Sequence, residues 1–125
     1  MKFAKSPAWL VELFQALQPE VGGAPRKMFG CPCAFDNEQL FTGVFEDGLF
    51  VRLGELERKE LLALRGAKRF APMKRPMREY AVLPASMLED EESVKGWMRR
   101  AREYVATLPP KRKSGAATRK RRRSA

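Results

Sequence analysis

Apolar residues recur at helical spacing near the start of the chain. The stripe consists of Trp9, Leu10, Leu13, Phe14 and Leu17. Steps of three and four residues are typical of an amphipathic helix. Ser6 can accept a hydrogen bond as the N-cap, and Pro7 suits the first helical position. The pattern predicts a helix over residues 7–18 that ends at Pro19, before a glycine pair.

The next segment alternates between apolar and polar positions, which is the period of a β-strand. Residues 27–35 predict a first strand with one shared face. That face consists of Phe29, Cys31, Cys33 and Phe35. Pro32 lies inside the segment and cannot donate a backbone hydrogen bond, so we expect an edge or a bulge there.

Two further strands are predicted at residues 40–45 and 49–53. Leu49, Val51 and Leu53 share one face of the later strand. Between the two strands, Glu46-Asp47-Gly48 is a strong hairpin signal, because glycine and acidic residues accept the backbone angles of a tight turn. The three strands therefore predict an antiparallel meander.

The second half of the chain begins with a predicted helix over residues 55–65. Its apolar positions are Leu56, Leu61 and Leu64. Gly66 is a C-terminal stop signal. Residues 68–71 and 77–83 predict two more strands, joined by the proline-flanked loop 72–76.

A last helix is predicted after Asp90, which is a good N-cap residue. Its single apolar stripe consists of Val94, Trp97, Met98, Ala101, Val105 and Leu108. A turn of helix around residues 85–88 precedes it. The order of elements predicts an α+β fold, α-β(3)-α-β(2)-α, with an antiparallel sheet.

The positive charge is concentrated at the C-terminus. The chain has 125 residues and a formal charge of +10. The last seventeen residues hold eight basic groups and no acid, whereas residues 1–108 hold seventeen basic and fifteen acidic groups. The body is therefore almost neutral, and the high isoelectric point describes the C-terminal segment.

This composition predicts one α+β domain over residues 1–108 and a disordered basic tail over residues 109–125. The tail has almost no apolar side chains, so burial cannot offset the entropy of ordering it. Residues 1–7 lack the apolar core of a signal peptide, and no stretch is long enough to cross a bilayer. We expect a cytoplasmic protein without a membrane partner.

The residue inventory argues against an enzyme. The chain has no histidine, which is the commonest general base. No glycine-rich phosphate loop and no serine nucleophile elbow is present. The acidic run Glu89-Asp90-Glu91-Glu92 lies at a helix start, where it favours the helix dipole. We assign no catalytic residue.

Two cysteines, Cys31 and Cys33, flank Pro32. A disulfide across one residue is strained, and two thiolates supply only half of the ligands of a structural zinc ion. We expect buried, reduced thiols on a strand, with no metal and no cofactor.

Basic residues of the body form a second set of candidates. Lys74, Arg75 and Arg78 are assigned as a secondary basic surface, in and beside the loop 72–76. The other basic groups are Arg26-Lys27, Lys68-Arg69 and Arg99, Arg100 and Arg102. Each group alone is a solvated surface. If the fold brings two of them together, they form a phosphate-binding face.

Several segments resemble the TfoX N-terminal domain family. The most specific is Arg26-Lys27-Met28-Phe29-Gly30. The other matching residues are Phe41, Asp47, Gly48, Leu49, Val51, Leu53, Phe70, Pro76, Met77, Glu79, Tyr80, Val82, Pro84, Leu88, Asp90 and Trp97. The resemblance covers about residues 7–107. This chain departs from the family pattern at Cys31-Pro32-Cys33, where family members commonly have glycine and aromatic residues.

The resemblance implies the α-β(3)-α-β(2)-α order, as in type III secretion chaperones, in agreement with the patterns above. The namesakes of the family are bacterial regulators of competence genes that act with a transcription factor. They carry a second, helical domain, and this chain has the basic tail in its place, so the competence role does not transfer directly.

Two functions remain open at this point. The first is a non-enzymatic regulatory or accessory protein that contacts nucleic acid without sequence preference through its tail. The contacting residues would be Lys111, Arg112, Lys113, Arg119, Lys120, Arg121, Arg122 and Arg123. The alternative is a protein-interaction module, chaperone-like or a dimeric adaptor, with a transcription factor or a second copy as partner and no nucleic-acid role. A tail that only increases solubility is the plainer explanation of its charge.

Overall fold

The computed structural model describes residues 6–28, 30–71 and 77–109. The helices within them are α1 (Ala8–Val21), α2 (Glu55–Leu62) and α3 (Glu91–Ala106), and a 3-10 helix spans Ala85–Glu89. The strands are β1 (Ala24–Met28), β2 (Cys31–Asp36), β3 (Gln39–Phe45), β4 (Gly48–Arg52), β5 (Lys68–Arg69) and β6 (Tyr80–Val82).

The strands form one antiparallel sheet in the order β1-β2-β3-β4-β6-β5. The first four follow the chain, whereas β6 lies between β4 and β5. β1 and β5 are thus the two edges of the sheet. The α+β prediction is confirmed, as are the 3-10 turn and the hairpin at Glu46-Asp47.

The predicted first strand is in fact two strands, so the sheet has four strands before α2 and not three. β1 and β2 pair from Ala24–Phe35 to Met28–Cys31, and Gly30 lies in the turn before β2. Phe29, which the sequence placed on the shared strand face, lies outside the described residues. Gly30 has a φ of 78°, a left-handed conformation that glycine adopts without strain. The alternation of apolar residues passes through this turn and hides it from the sequence.

Pro32 lies neither at a sheet edge nor at a bulge, so that prediction is wrong. It is part of β2, an inner strand, but the β2–β3 ladder begins only at Cys33–Gly43. Pro32 thus stands beyond the end of this ladder, where no donor is required. The bulge is instead in β3, where Phe41 is the extra residue between the partners of Ala34 and Phe35.

The main core lies between one face of the sheet and the helices α1 and α3. The α1 residues Leu10, Phe14 and Leu17 are fully buried. The predicted α3 stripe is also buried, except that Leu108 packs at its margin. Asp90 caps α3, as predicted, by accepting a hydrogen bond from the Ser93 backbone.

Three predicted core residues are instead exposed. Trp9 is 55% exposed, Leu56 82% and Leu64 39%. Trp9 lies in the first turn of α1, and Leu56 lies in the first turn of α2. Leu61 is the buried residue of α2, a helix that the structure ends at Leu62 and not at Arg65. Periodicity identified the helices but not how much of each stripe the sheet covers.

The ends of α1 also differ from the prediction. Its N-cap is Pro7, without a side-chain bond, and the Ser6 hydroxyl lies 3.3 Å from the Cys31 sulfur. The helix continues past Pro19 to Val21, because proline near a helix end forfeits only one hydrogen bond. The Gln18 amide then donates to the Gly22 and Gly23 carbonyls.

The strands of the second half are shorter than predicted. β5 covers Lys68–Arg69 and β6 covers Tyr80–Val82, against predictions of 68–71 and 77–83. Phe70 continues the pairing by a hydrogen bond to the Tyr80 carbonyl. Among the helices of the described ranges, none has the length and apolar character to span a bilayer.

Candidate nucleic-acid interface

Most of the residues assigned from the sequence lie outside the described residues. All eight tail residues, from Lys111 to Arg123, belong to the segment 110–125, and Lys74 and Arg75 belong to the segment 72–76. Arg78 is described and is exposed just before β6. The structure therefore shows the described residues that flank these two segments, and not the segments themselves.

The β5–β6 hairpin brings two of the basic groups onto one element. Lys68 pairs with Val82 and Arg69 with Ala81, and the loop between the strands ends at Arg78 and Glu79. Lys68, Arg69 and Arg78 are exposed. No ion pair links any of the three to another described residue. The hairpin thus presents cations at one edge of the sheet.

Aromatic packing on the second face of the sheet holds this hairpin in place. The Phe70 ring stacks on Phe50 with centroids 4.3 Å apart and an interplanar angle of 13°. Phe45 meets Phe70 edge to face at 5.4 Å. The Tyr80 hydroxyl donates to the Leu40 carbonyl at 3.0 Å. Because all four rings are buried, they stabilise the hairpin and do not offer a platform on which bases could stack.

A small cavity of about 200 Å³ lies beside the basic edge. Its walls include Phe50 and Phe70, and Lys68 and Arg69 stand at its rim. The turn residues Glu46 and Asp47 face the same space and offset the two cations. The balanced charge makes the cavity itself a poor phosphate site, although Lys68 and Arg69 remain exposed to solvent beside it.

The tail begins at a fixed point on the domain. The Asn37 amide donates to the Val105 carbonyl at 2.9 Å and to the Leu108 carbonyl at 2.7 Å. The Gln39 amide donates to the Pro109 carbonyl at 3.2 Å. The Val105 carbonyl also accepts from the Leu108 backbone, and Leu108 and Pro109 lie just beyond α3, so these side-chain bonds fasten the residues after the helix to the β2–β3 turn and the start of β3. The last described residue of the chain is therefore held at this end of the sheet.

A polar network connects the start of the tail to the basic hairpin. Arg52, at the end of β4, donates to Gln39 Oε1 at 3.0 Å and to Glu79 Oε1 at 2.8 Å. The Tyr104 hydroxyl of α3 donates to Glu79 Oε2 at 3.0 Å. Pro109, Gln39, Arg52 and Glu79 thus form one continuous chain of hydrogen bonds. Arg78 is next in sequence to the last member of that chain.

The charges of this network are stabilised in place. Burial alone would raise the pKa of the Glu79 carboxyl, but hydrogen bonds from Arg52 and Tyr104, with the Arg52 charge, hold that pKa below its usual value. Burial and the bond to Glu79 raise the pKa of Tyr104. At neutral pH the network therefore contains an ionised Glu79 and a protonated phenol.

Two basic residues of α3, Arg100 and Arg102, are engaged elsewhere, whereas Arg99 is exposed. Arg102 donates to Asp36 at 2.7 Å and to the Val21 carbonyl at 2.8 Å. Arg100 lies over the Trp97 ring at 4.4 Å. Its Nη1 lies 3.2 Å from Glu60 Oε2 as an ion pair, but this buried atom makes no hydrogen bond. These two cations tie helices and turns together and are not free for phosphate.

The cysteine pair is buried, as predicted. Cys31 and Cys33 are both free thiols on β2. Burial raises the pKa of Cys33 to about 11, which keeps the thiol protonated at neutral pH and unreactive. In the part of the chain that the structure describes, no three histidine, cysteine or acidic side chains converge as metal ligands.

Comparison with protein families identifies the class to which this fold and these segments belong. The family model of the TfoX N-terminal domain matches residues 12–104. This match covers most of the chain, and the chain belongs to the TfoX N-terminal domain family. No curated protein and no solved structure matches it significantly. The resemblance inferred from the sequence is thereby confirmed.

Proposed function

We propose that this protein is a non-enzymatic regulatory or accessory protein that binds nucleic acid in the cytoplasm. The tail supplies the main contact, through the eight basic residues between Lys111 and Arg123. Lys68, Arg69 and Arg78 of the hairpin, with Lys74 and Arg75, supply a secondary one. Family membership supports the regulatory role in general terms. The continuous hydrogen-bond chain from Pro109 to Glu79 carries the argument, since it links the origin of the tail to the basic loop.

The mechanism is neutralisation of phosphates with release of counterions. The eight tail cations neutralise at most about eight phosphates, so the tail alone contributes no more than about −7 to the slope of log affinity against log salt on duplex DNA. Phosphate contacts carry no base information, and the buried rings leave no stacking surface on the second face. The binding is therefore nearly independent of sequence.

The chemistry of the described residues supports a non-enzymatic role. The chain has no histidine. The Cys33 thiol is held protonated by burial. The Glu79 carboxylate is committed to Arg52 and Tyr104. These groups stabilise the domain and leave no activated nucleophile among them.

A salt titration of the intact chain and of residues 1–108 on two unrelated duplexes tests the proposal. The intact protein should bind both duplexes with similar affinity, and the truncated protein should lose most of the binding. Replacing Lys68, Arg69 and Arg78 by glutamine should flatten the slope by about 3 at most, whereas removing the tail should flatten it more. A full-length variant with glutamine in place of the eight tail cations separates the effect of tail charge on binding from the effect of tail length.

Equal affinity with and without the tail would overturn the tail as the main contact. Absence of binding by both forms at low salt would instead support the alternative, a protein-interaction module with no nucleic-acid role. A strong preference for one duplex would contradict the phosphate mechanism, because it requires base contacts.

A further inference from the structure

The edge strand β1 is exposed at four of its five residues. It pairs with β2 on one side, and the other side is the edge of the sheet. Ala24, Pro25, Arg26 and Lys27 are exposed and Met28 is half-buried. Such an edge presents unpaired backbone groups to which another extended chain can add.

Two prolines fix which backbone groups of β1 face outward. Pro25 pairs with Ala34, and Pro32 pairs with Lys27. Neither proline can donate, so both pairs must be of the type that exchanges no hydrogen bonds across β1 and β2. Pro25 and Lys27 therefore direct their carbonyls, and Lys27 its N–H, to the free edge. Two residues of an edge strand usually offer four backbone groups to an added strand, two N–H and two carbonyl. Because Pro25 has no N–H, an added strand can bond to three of these four groups.

A groove of about 390 Å³ runs beside this edge, between α1 and the strands β1 and β2. Phe14, Gln15 and Gln18 form its helical wall, and Pro25, Lys27 and Pro32 form its floor. The helix packs over the inner strands and leaves β1 uncovered. Alternate side chains of an added strand would enter this groove, because successive residues of a strand point to opposite faces.

The charge of β1 determines which occupant fits. Arg26 and Lys27 form no ion pair with the described part of the protein. Arg26 lies over the Phe35 ring at 5.3 Å, and β1 contains no acid. We propose that the free edge of β1 and its groove bind an extended segment of another protein in which acidic and apolar residues alternate.

Two other occupants fit this charge less well. A second copy of β1 would place Arg26 and Lys27 against identical cations, and like charges directly opposite are unfavourable. Residues 1–5 carry Lys2 and Lys5 and no acid. Edge cations and a proline also discourage pairing with unselected strands. The same features leave a strand with acidic side chains as the favoured addition.

Nuclear magnetic resonance of the full chain, titrated with a ten-residue peptide of alternating valine and glutamate, tests the proposal. Backbone amides of β1 and the Gln15 face of α1 should shift, with half-saturation at or below about 1 mM. A matched peptide with lysine in place of glutamate should bind about tenfold more weakly or not at all. A version with alternate N-methylated amides should also lose binding, since the contact is made by the backbone.

Variants on the two edge strands supply the matched control. Arg26→Glu with Lys27→Glu should weaken binding of the glutamate peptide about tenfold or more. Lys68→Glu with Arg69→Glu, the equivalent exposed pair on the opposite edge, should change it about twofold or less. Gln15→Trp narrows the groove without changing charge and should also weaken binding. Unchanged melting temperatures show that the variants fold.

Several outcomes would overturn the proposal. One is the absence of β1 shifts at 1 mM peptide, and another is equal binding of the lysine and glutamate peptides. Shifts of the same amides by dilution of the protein alone would assign the edge to a second copy. Stronger shifts with a short DNA duplex would assign it to nucleic acid, and stronger peptide binding after removal of residues 1–5 would assign it to that segment.

Discussion

Arg52 joins three parts of the chain at one end of the sheet. Its guanidinium bonds to Gln39 at the start of β3 and to Glu79 before β6, and it lies over the Tyr80 ring at 5.6 Å. Glu79 in turn accepts from Tyr104 of α3. A partly buried arginine with several planar partners holds its neighbours in fixed directions. Through Gln39, this residue thus links Pro109 to Glu79 across the end of the sheet.

Glu79 should make stability depend on pH. Its folded-state pKa is lowered, so its contribution is complete above the ordinary carboxyl pKa of about 4.3 and is lost as pH falls through the folded value. The stability difference between the wild type and Glu79→Gln should therefore be full near neutral pH and shrink below about pH 4.3. Urea unfolding at several pH values measures it.

The exposed acid Glu12 of α1 provides the control for this experiment. Glu12→Gln should leave the unfolding free energy within about 0.5 kcal/mol of the wild type, since surface changes usually have small effects. A Glu79→Gln difference that stayed constant from neutral pH to pH 2 would contradict the assignment.

The two tryptophans, Trp97 and Trp9, differ in burial and provide a test of its contribution to stability. Trp97 is 9% exposed beneath the Arg100 guanidinium, and Trp9 is 55% exposed. Trp97→Ala should lower the free energy of unfolding by about 3–5 kcal/mol, because a large buried ring is lost. Trp9→Ala should change it by about 0.5 kcal/mol or less. Thermal or urea unfolding of both variants measures these changes. Equal losses of unfolding free energy would mean that burial does not distinguish the two residues.

The end of α3 illustrates how one element is completed by another. A helix leaves its last four carbonyls without intrahelical partners. Here Asn37 of the β2–β3 turn, whose backbone φ is 54°, donates one bond to the Val105 carbonyl in the last turn of α3 and one to the Leu108 carbonyl just beyond it. Asparagine tolerates this conformation better than most residues. The turn therefore fixes both the helix end and the position from which the tail leaves.

Asn37→Gly isolates these two hydrogen bonds. Glycine keeps the backbone freedom that the turn requires and removes only the amide. We expect a loss of about 1–3 kcal/mol in the free energy of unfolding, at about 1 kcal/mol for each bond. Amide hydrogen exchange should also become faster in the last turn of α3. Unchanged exchange there would show that water replaces the amide at no cost.

At the scale of the whole molecule, the sheet separates two basic edges. β5 and its hairpin lie at one edge, and β1 with Arg26-Lys27 lies at the other. The helices cover one face between them, and aromatic side chains fill the other. The two proposed contacts, with nucleic acid and with an acidic strand, are therefore on opposite edges and need not compete.

The domain should fold without the tail. Within the described residues, removal of residues 109–125 takes away one bond, from Gln39 to Pro109, and none of the buried side chains. The melting temperature of residues 1–108 should stay within about 5 °C of the full chain, which corresponds to about 1 kcal/mol for a domain of this size. A larger fall would place part of the tail in the folded domain.

Local sequence determined the elements that depend on a short repeat or a single turn. The α3 stripe from Val94 to Val105 and its Asp90 cap follow from spacing within one helix. The β3–β4 hairpin follows from two turn residues between apolar strands. In each case the interacting residues are near in sequence, so the local pattern predicts the element. The family could be identified from the same segments.

Tertiary structure alone decided which surfaces are covered and which elements meet. Trp9 and Leu56 fit helical stripes, yet both are exposed, because the sheet covers only part of α1 and α2. The chain Pro109–Gln39–Arg52–Glu79 joins residues that lie far apart in sequence, and no local pattern encodes it. Likewise, Arg26-Lys27 and Lys68-Arg69 are alike in sequence. They lie on opposite edges because β6 inserts between β4 and β5, a choice made by long-range strand pairing.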